Sequence, residues 1–199
     1  MFTKTADYLT HQLEVNGIIK SEERGVYFYG IQQGCVLLLN LFTTLIIGIV
    51  LGRVWQSILF TIAYMLLRQN AGGFHAETPL KCYIYSAVMT CAVLISINIL
   101  NGHVLVCSFL SAFGAISVLL FAPVEALNKL LDETERKVYR HRTWIILFIE
   151  CTLIVSFAYF KMYSFYIPIT LAIFLTGILL VMGKIKLQYL NRHTKTKNS

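Results

Sequence analysis

A histidine and a cysteine seven residues apart, His75 and Cys82, stand in the one stretch of this 199-residue chain that gathers reactive and polar side chains between long apolar runs. They have the makings of a general base and a thiol nucleophile, provided that the chain can bring imidazole and sulfur together. One continuous helix cannot do so, because seven residues rise roughly 10.5 Å and leave the two side chains about two turns apart. Thr78-Pro79 offers a way out. Proline pushes the preceding residue out of the helical region and suits the first helical position, and threonine is a good cap. The spacing therefore predicts a new helix that opens at Thr78-Pro79. Cys82 then lies in its first turn, at the positive end of the helix dipole and beside Lys81, the setting of an activated cysteine. His75 is expected in the preceding loop, where it can fold back.

The residues just upstream supply support. Gly72 and Gly73 lack a β-carbon, so a substrate's main chain can come close and their amides are expected to face a developing oxyanion. Arg68 is expected to hold a carboxylate or orient the loop. Glu77 is near in sequence, but the cap geometry gives no reason to choose it as a third catalytic residue. His75-Ala76-Glu77 opens like a zinc deaminase motif, yet no Pro-Cys-x-x-Cys follows, and neither a metal nor another cofactor is expected.

The elements that must carry this stretch are membrane helices. With 57% hydrophobic and 14% charged residues, the chain reads as an all-α polytopic membrane protein. Residues 1–199 form a single membrane-embedded domain: an N-terminal amphipathic interfacial helix within 1–24, transmembrane helices over 26–183, and a basic tail over 184–199. The interfacial helix follows from Phe2, Ala6, Leu9 and Leu13 recurring at helical spacing among charged residues. No cleavable leader is expected from so polar a start. About six transmembrane helices are expected, at Val26–Leu51, Val54–Leu67, Tyr83–Leu100, Val104–Ala122, Thr143–Phe160 and Tyr163–Gly183. The second is short, about 21 Å against a hydrocarbon core of roughly 30 Å. Either Ala71-Gly72-Gly73-Phe74 completes the passage or the membrane thins, and both place the reactive stretch in a recessed, partly wet pocket.

Fifteen of the 17 lysines and arginines fall on one side of this scheme, all but Arg53 and Lys161. The positive-inside rule makes that side cytoplasmic, with both termini and the His75–Cys82 stretch. Four cysteines, Cys35, Cys91, Cys107 and Cys151, lie in apolar runs and are expected only to pack. Glu150 is the one acid inside a late span, and Asn40 and Asn98 are expected to join helices. Attraction to anionic lipid accounts for much of the basic charge between Pro123 and Arg142, and no nucleic-acid partner is expected.

The pattern Arg-x3-Gly-Gly-Phe-His-x6-Cys, at Arg68, Gly72, Gly73, Phe74, His75 and Cys82, resembles the signature of the accessory gene regulator B (AgrB) family. Ala122-Pro123-Val124 at the head of the basic loop, the length and the run of apolar segments are similar too. The resemblance implies a bacterial membrane cysteine endopeptidase that removes the C-terminal tail of an AgrD-type precursor, with His75 and Cys82 as the catalytic pair. A Cys82 acyl-enzyme would then let a precursor thiol close the thiolactone of a cyclic autoinducing peptide in quorum sensing. It further implies a homodimer, and an acidic precursor tail for which Arg136, Lys137, Arg140 and Arg142 are candidate docking groups. The competing reading is a non-enzymatic membrane transporter or peptide-binding protein, in which Cys82 is incidental and Cys82→Ser is tolerated.

Overall fold

A bilayer accepts only backbone that satisfies its own hydrogen bonds, and most of the described residues answer with helices. The structure, a computed structural model, describes residues 2–73, 78–124 and 132–197, with Phe2, Pro79 and residues 190–197 described by backbone alone. Among the described residues the helices are α1 (Phe2–Val15), α2 (Arg24–Val50), α3 (Val54–Ala71), α4 (Pro79–Leu100), α5 (Val104–Phe121), α6 (Glu133–Tyr159) and α7 (Tyr163–Lys197). Five of them, α2 and α4 to α7, are long and apolar enough to cross a membrane by themselves.

The short α3 is carried by its neighbours instead. At its start the Arg53 guanidinium donates to Asn98 Oδ1, near the C-terminal end of α4. At its other end the Ala71 carbonyl accepts the Val124 amide at 2.9 Å. The helix therefore runs the length of the bundle. It also continues four residues past the expected Leu67, so that its 18 residues rise about 27 Å. Helix, rather than the glycine stretch, makes up most of the missing length.

The centre of the bundle is α7. Its Tyr166, Ile167, Ile169, Ala172, Ile173 and Leu180 are buried, as befits a helix that is apolar all round, and it packs on α3, α4, α5 and α6. Small residues bring α5 and α7 together: a β-carbon on Gly114 would come within 2.7 Å of the Ile173 and Phe174 backbone. Glu150, 4% exposed, has no hydrogen-bond partner for either carboxyl oxygen among the described residues.

Three boundaries or placements differ from expectation. The α6 helix starts at Glu133, ten residues before the expected Thr143, because Asp132 caps it. The Asp132 carboxylate accepts the Glu133 amide at 2.8 Å, and the Glu135 side chain accepts the Asp132 amide at 3.3 Å. The α7 helix continues through the expected tail to Lys197. Finally, α1 is more than an interfacial helix. It folds back along α2, with Arg24 paired to Asp7 and to Glu14 at 3.1 Å each, and Gln32 donating to Thr3 at 3.4 Å. Ala6 is buried in that hairpin, while Tyr8, Leu9 and Val15 stay exposed.

Candidate active site

The α4 helix opens as the sequence predicts. Thr78 Oγ1 accepts the Lys81 amide at 3.3 Å, Pro79 takes the first turn, and the Cys82 amide donates to the Thr78 carbonyl at 3.0 Å. The Cys82 thiol is free and half-buried. It lines an open cavity of about 810 Å³ between α2, α3, α4 and α7. Each helix contributes one face, with residues at helical spacing: Cys82, Ser86 and Met89 from α4, Gln33, Leu37 and Asn40 from α2, and Tyr64 and Arg68 from α3, with Gly72 just past its end. Leu179 and Met182 of α7 close the back. This is the recessed pocket that the short second span implied, and its size is that of ordinary ligand sites.

Arg68 lies in the last turn of α3. Its guanidinium donates to the Gly72 carbonyl and engages the Tyr64 hydroxyl, bracing the end of α3 beside Cys82. The glycines have a structural task that sequence did not reveal. Gly72 has φ +70°, its amide donates to the Arg68 carbonyl at 3.2 Å, and it pairs in parallel with Val124 as an isolated bridge. A β-carbon there would run into the Val124 carbonyl oxygen, and one on Gly73 into the Arg68 guanidinium. The Gly72 amide is thus taken up by the end of α3; the bare Cα of Gly72 lets the chain after α5 dock, and that of Gly73 makes room for the Arg68 side chain.

That docking is tight on both sides. The Ala122 carbonyl accepts from Arg140 Nε at 3.5 Å, and Lys184 Nζ lies 4.4 Å from the centre of the Phe121 ring. Arg68-x3-Gly-Gly and Ala122-Pro123-Val124, fifty residues apart, therefore form one physical unit next to Cys82.

His75 and Glu77 lie outside the described residues. Arg136, Lys137, Arg140 and Arg142 are exposed along the first three turns of α6, and none of the four lines the Cys82 cavity. Asn40 corrects an expectation. Its carboxamide joins no helices and has no hydrogen-bond partner among the described residues; it faces the cavity. Asn98, by contrast, does join α3 to α4. Gln33, Asn40, Tyr64 and Ser86 were missed as site residues, although Gln33, Leu37, Asn40 and Thr44 recur at steps of four, three and four along an otherwise apolar helix.

Comparison with known proteins bears on this geometry. The model of the family described as accessory gene regulator B matches residues 3–182. The chain is 36% identical over 88 residues to the accessory gene regulator protein B of Staphylococcus aureus strain bovine RF122, covering 43% of this chain and 46% of that protein. It is 31% identical over 105 residues to the one of strain JH9, covering 49% and 54%. The match thus spans about half the length of these relatives. With the AgrB-like protein 2 of Clostridium perfringens strain 13 it is 26% identical over 174 residues, 77% of each chain. No solved structure matches. A family match over nearly the whole chain, on a bundle of apolar helices, makes this chain a member of the accessory gene regulator B family of multi-pass membrane proteins.

Proposed function

We propose that this chain, whose family serves accessory gene regulation in quorum sensing, is a membrane-embedded cysteine endopeptidase acting on an AgrD-type precursor. The observation that carries the reading is Cys82 in the capped first turn of α4, opening into a large cavity between four helices. In this mechanism His75 takes the Cys82 proton and the thiolate attacks the carbonyl at the end of the pheromone segment. The peptide bond breaks, the imidazolium returns the proton to the leaving amine, and the tail departs. The resulting thioester exchanges with a cysteine thiol of the bound precursor, which closes the thiolactone and frees Cys82. The recess limits the competing attack by water. The acidic tail is taken up by the exposed Arg136, Lys137, Arg140 and Arg142 on α6. The site and both termini face the cytoplasm, and the working unit is a homodimer.

The test is reconstitution in lipid with the precursor peptide, with intact-mass detection of an acyl adduct. The expected result is an adduct and released tail in the native protein, and neither in Cys82→Ala. For His75→Ala and Cys82→Ser, processing is expected to fall at least about a hundredfold. Full processing in Cys82→Ser would sink the mechanism, and precursor bound without cleavage by the native protein would favour a transport or binding role.

A further inference from the structure

The cavity does not end at Cys82. A second, smaller one of about 110 Å³ continues from it, and the two share Leu37, Asn40, Tyr64, Met65, Ser86 and Met89. From Cys82 the shared wall runs two turns along α4 to Met89, away from the capped end and into the bundle. Thr44, Phe60, Thr61 and Leu175 line the inner end.

The two parts differ in chemistry. The outer cavity carries Gln33, Arg68 and Gln69, whereas the inner one has no charged side chain: its leucine, methionine and phenylalanine side chains are joined by neutral polar ones, among them Thr44, Thr61, Tyr64 and Thr90. A charged group would find no counter-charge there and would keep out. Space also limits the occupant. A cavity of roughly 150 Å³ takes a benzene ring, so the inner one, at about 110 Å³, suits an aliphatic side chain better than an indole.

At the junction stand Asn40 and Ser86. Both line both cavities, and neither side chain has a hydrogen-bond partner among the described residues. Ser86 lies one turn from Cys82 on the same face of α4, a rise of roughly 6 Å. An amide and a hydroxyl together offer donors and acceptors, and a peptide main chain needs both.

Building on the cysteine-peptidase reading, we propose that Asn40 and Ser86 hold the main chain of the residue whose carbonyl Cys82 attacks, and that the inner cavity takes that residue's side chain, an aliphatic one of about leucine size. The apolar end of the substrate points into the bundle, and the tail beyond the scissile bond points to the mouth that carries Arg68.

The experiment uses the full chain in liposomes and N-acetyl amino-acid chloromethyl ketones, in which the Cys82 sulfur displaces chloride and forms a thioether. Labelling of Cys82 is followed by peptide mass mapping, and each rate is normalised to the probe's rate with free cysteine. The leucine probe is expected to react at least about tenfold faster than the alanine and tryptophan probes. Thr44→Phe and Thr61→Leu should collapse the leucine-to-alanine ratio towards one, and Asn40→Ala should slow both probes. Iodoacetamide, which needs neither subsite, reports whether Cys82 and its surroundings are intact in each variant. Equal leucine and alanine rates, or a ratio that survives both filling variants, overturn the subsite and leave the peptidase reading standing. A Cys82 inert to iodoacetamide in the native protein removes that reading, and the subsite with it.

Discussion

At Gly72 the need for glycine is stated twice, once by the backbone and once by its neighbour. The residue sits at φ +70° and a β-carbon would meet the Val124 carbonyl oxygen, so the chain after α5 would have to lift away. Gly72→Ala is expected to cost roughly 1–3 kcal/mol from the strained backbone alone and to abolish processing, since it displaces the end of α3 beside Cys82. Gly30→Ala, in open space on α2, is expected to leave stability within about 0.5 kcal/mol. Thermal unfolding in detergent micelles, run beside a processing assay, separates the two. Glu150 argues the other way. Its buried carboxyl has no hydrogen-bond partner among the described residues, so Glu150→Met leaves no orphaned group behind and is expected to be neutral or stabilising by about 1 kcal/mol. A loss of processing with an unchanged melting temperature would instead give Glu150 a role in the reaction.

Among the elements, the first turn of α4 matters most, because it carries Cys82 and is closed by two hydrogen bonds to Thr78, one from the Lys81 amide and one from the Cys82 amide. Thr78→Ala removes the cap for the Lys81 amide and is expected to cost about 1 kcal/mol. The fraying falls on the turn that carries Cys82, so processing should drop while Thr78→Ser restores it; equal activity in all three would detach the cap from function. This start was legible in the sequence because proline and threonine act locally and leave the chain little choice. The start of α6 was legible in principle, through Asp132 and Glu135 three residues apart, but the density of charge after Pro123 hid it. The continuation of α7 past Gly183 escaped notice because lysine and asparagine there end the apolar pattern without ending the helix. The docking of Gly72 on Val124 could not have been read at all. Each partner looks like an ordinary turn, and their meeting depends on how α3, α5 and α7 pack.

For the molecule as a whole, the contacts sort the two ends of the bundle. Gly72 meets Val124, Arg140 reaches Ala122 and Lys184 covers Phe121, so the end that holds Cys82 also collects the basic residues. Arg53, bonded to Asn98, and Lys161, in the turn between α6 and α7, mark the opposite end. By the positive-inside rule, charge asymmetry of this size predicts that the Cys82 end faces the reducing cytoplasm. The prediction can be read in cells from single cysteines introduced into a chain stripped of its own. Met162→Cys, at the α6–α7 turn, should react with a membrane-impermeant maleimide added to intact cells. Lys137→Cys, exposed on the first turns of α6, should react only after permeabilisation. The reverse pattern would put the cavity mouth and the basic face of α6 outside the cell. A precursor made in the cytoplasm could then reach Cys82 only after crossing the membrane, and the peptidase mechanism would need a transport step before it rather than after.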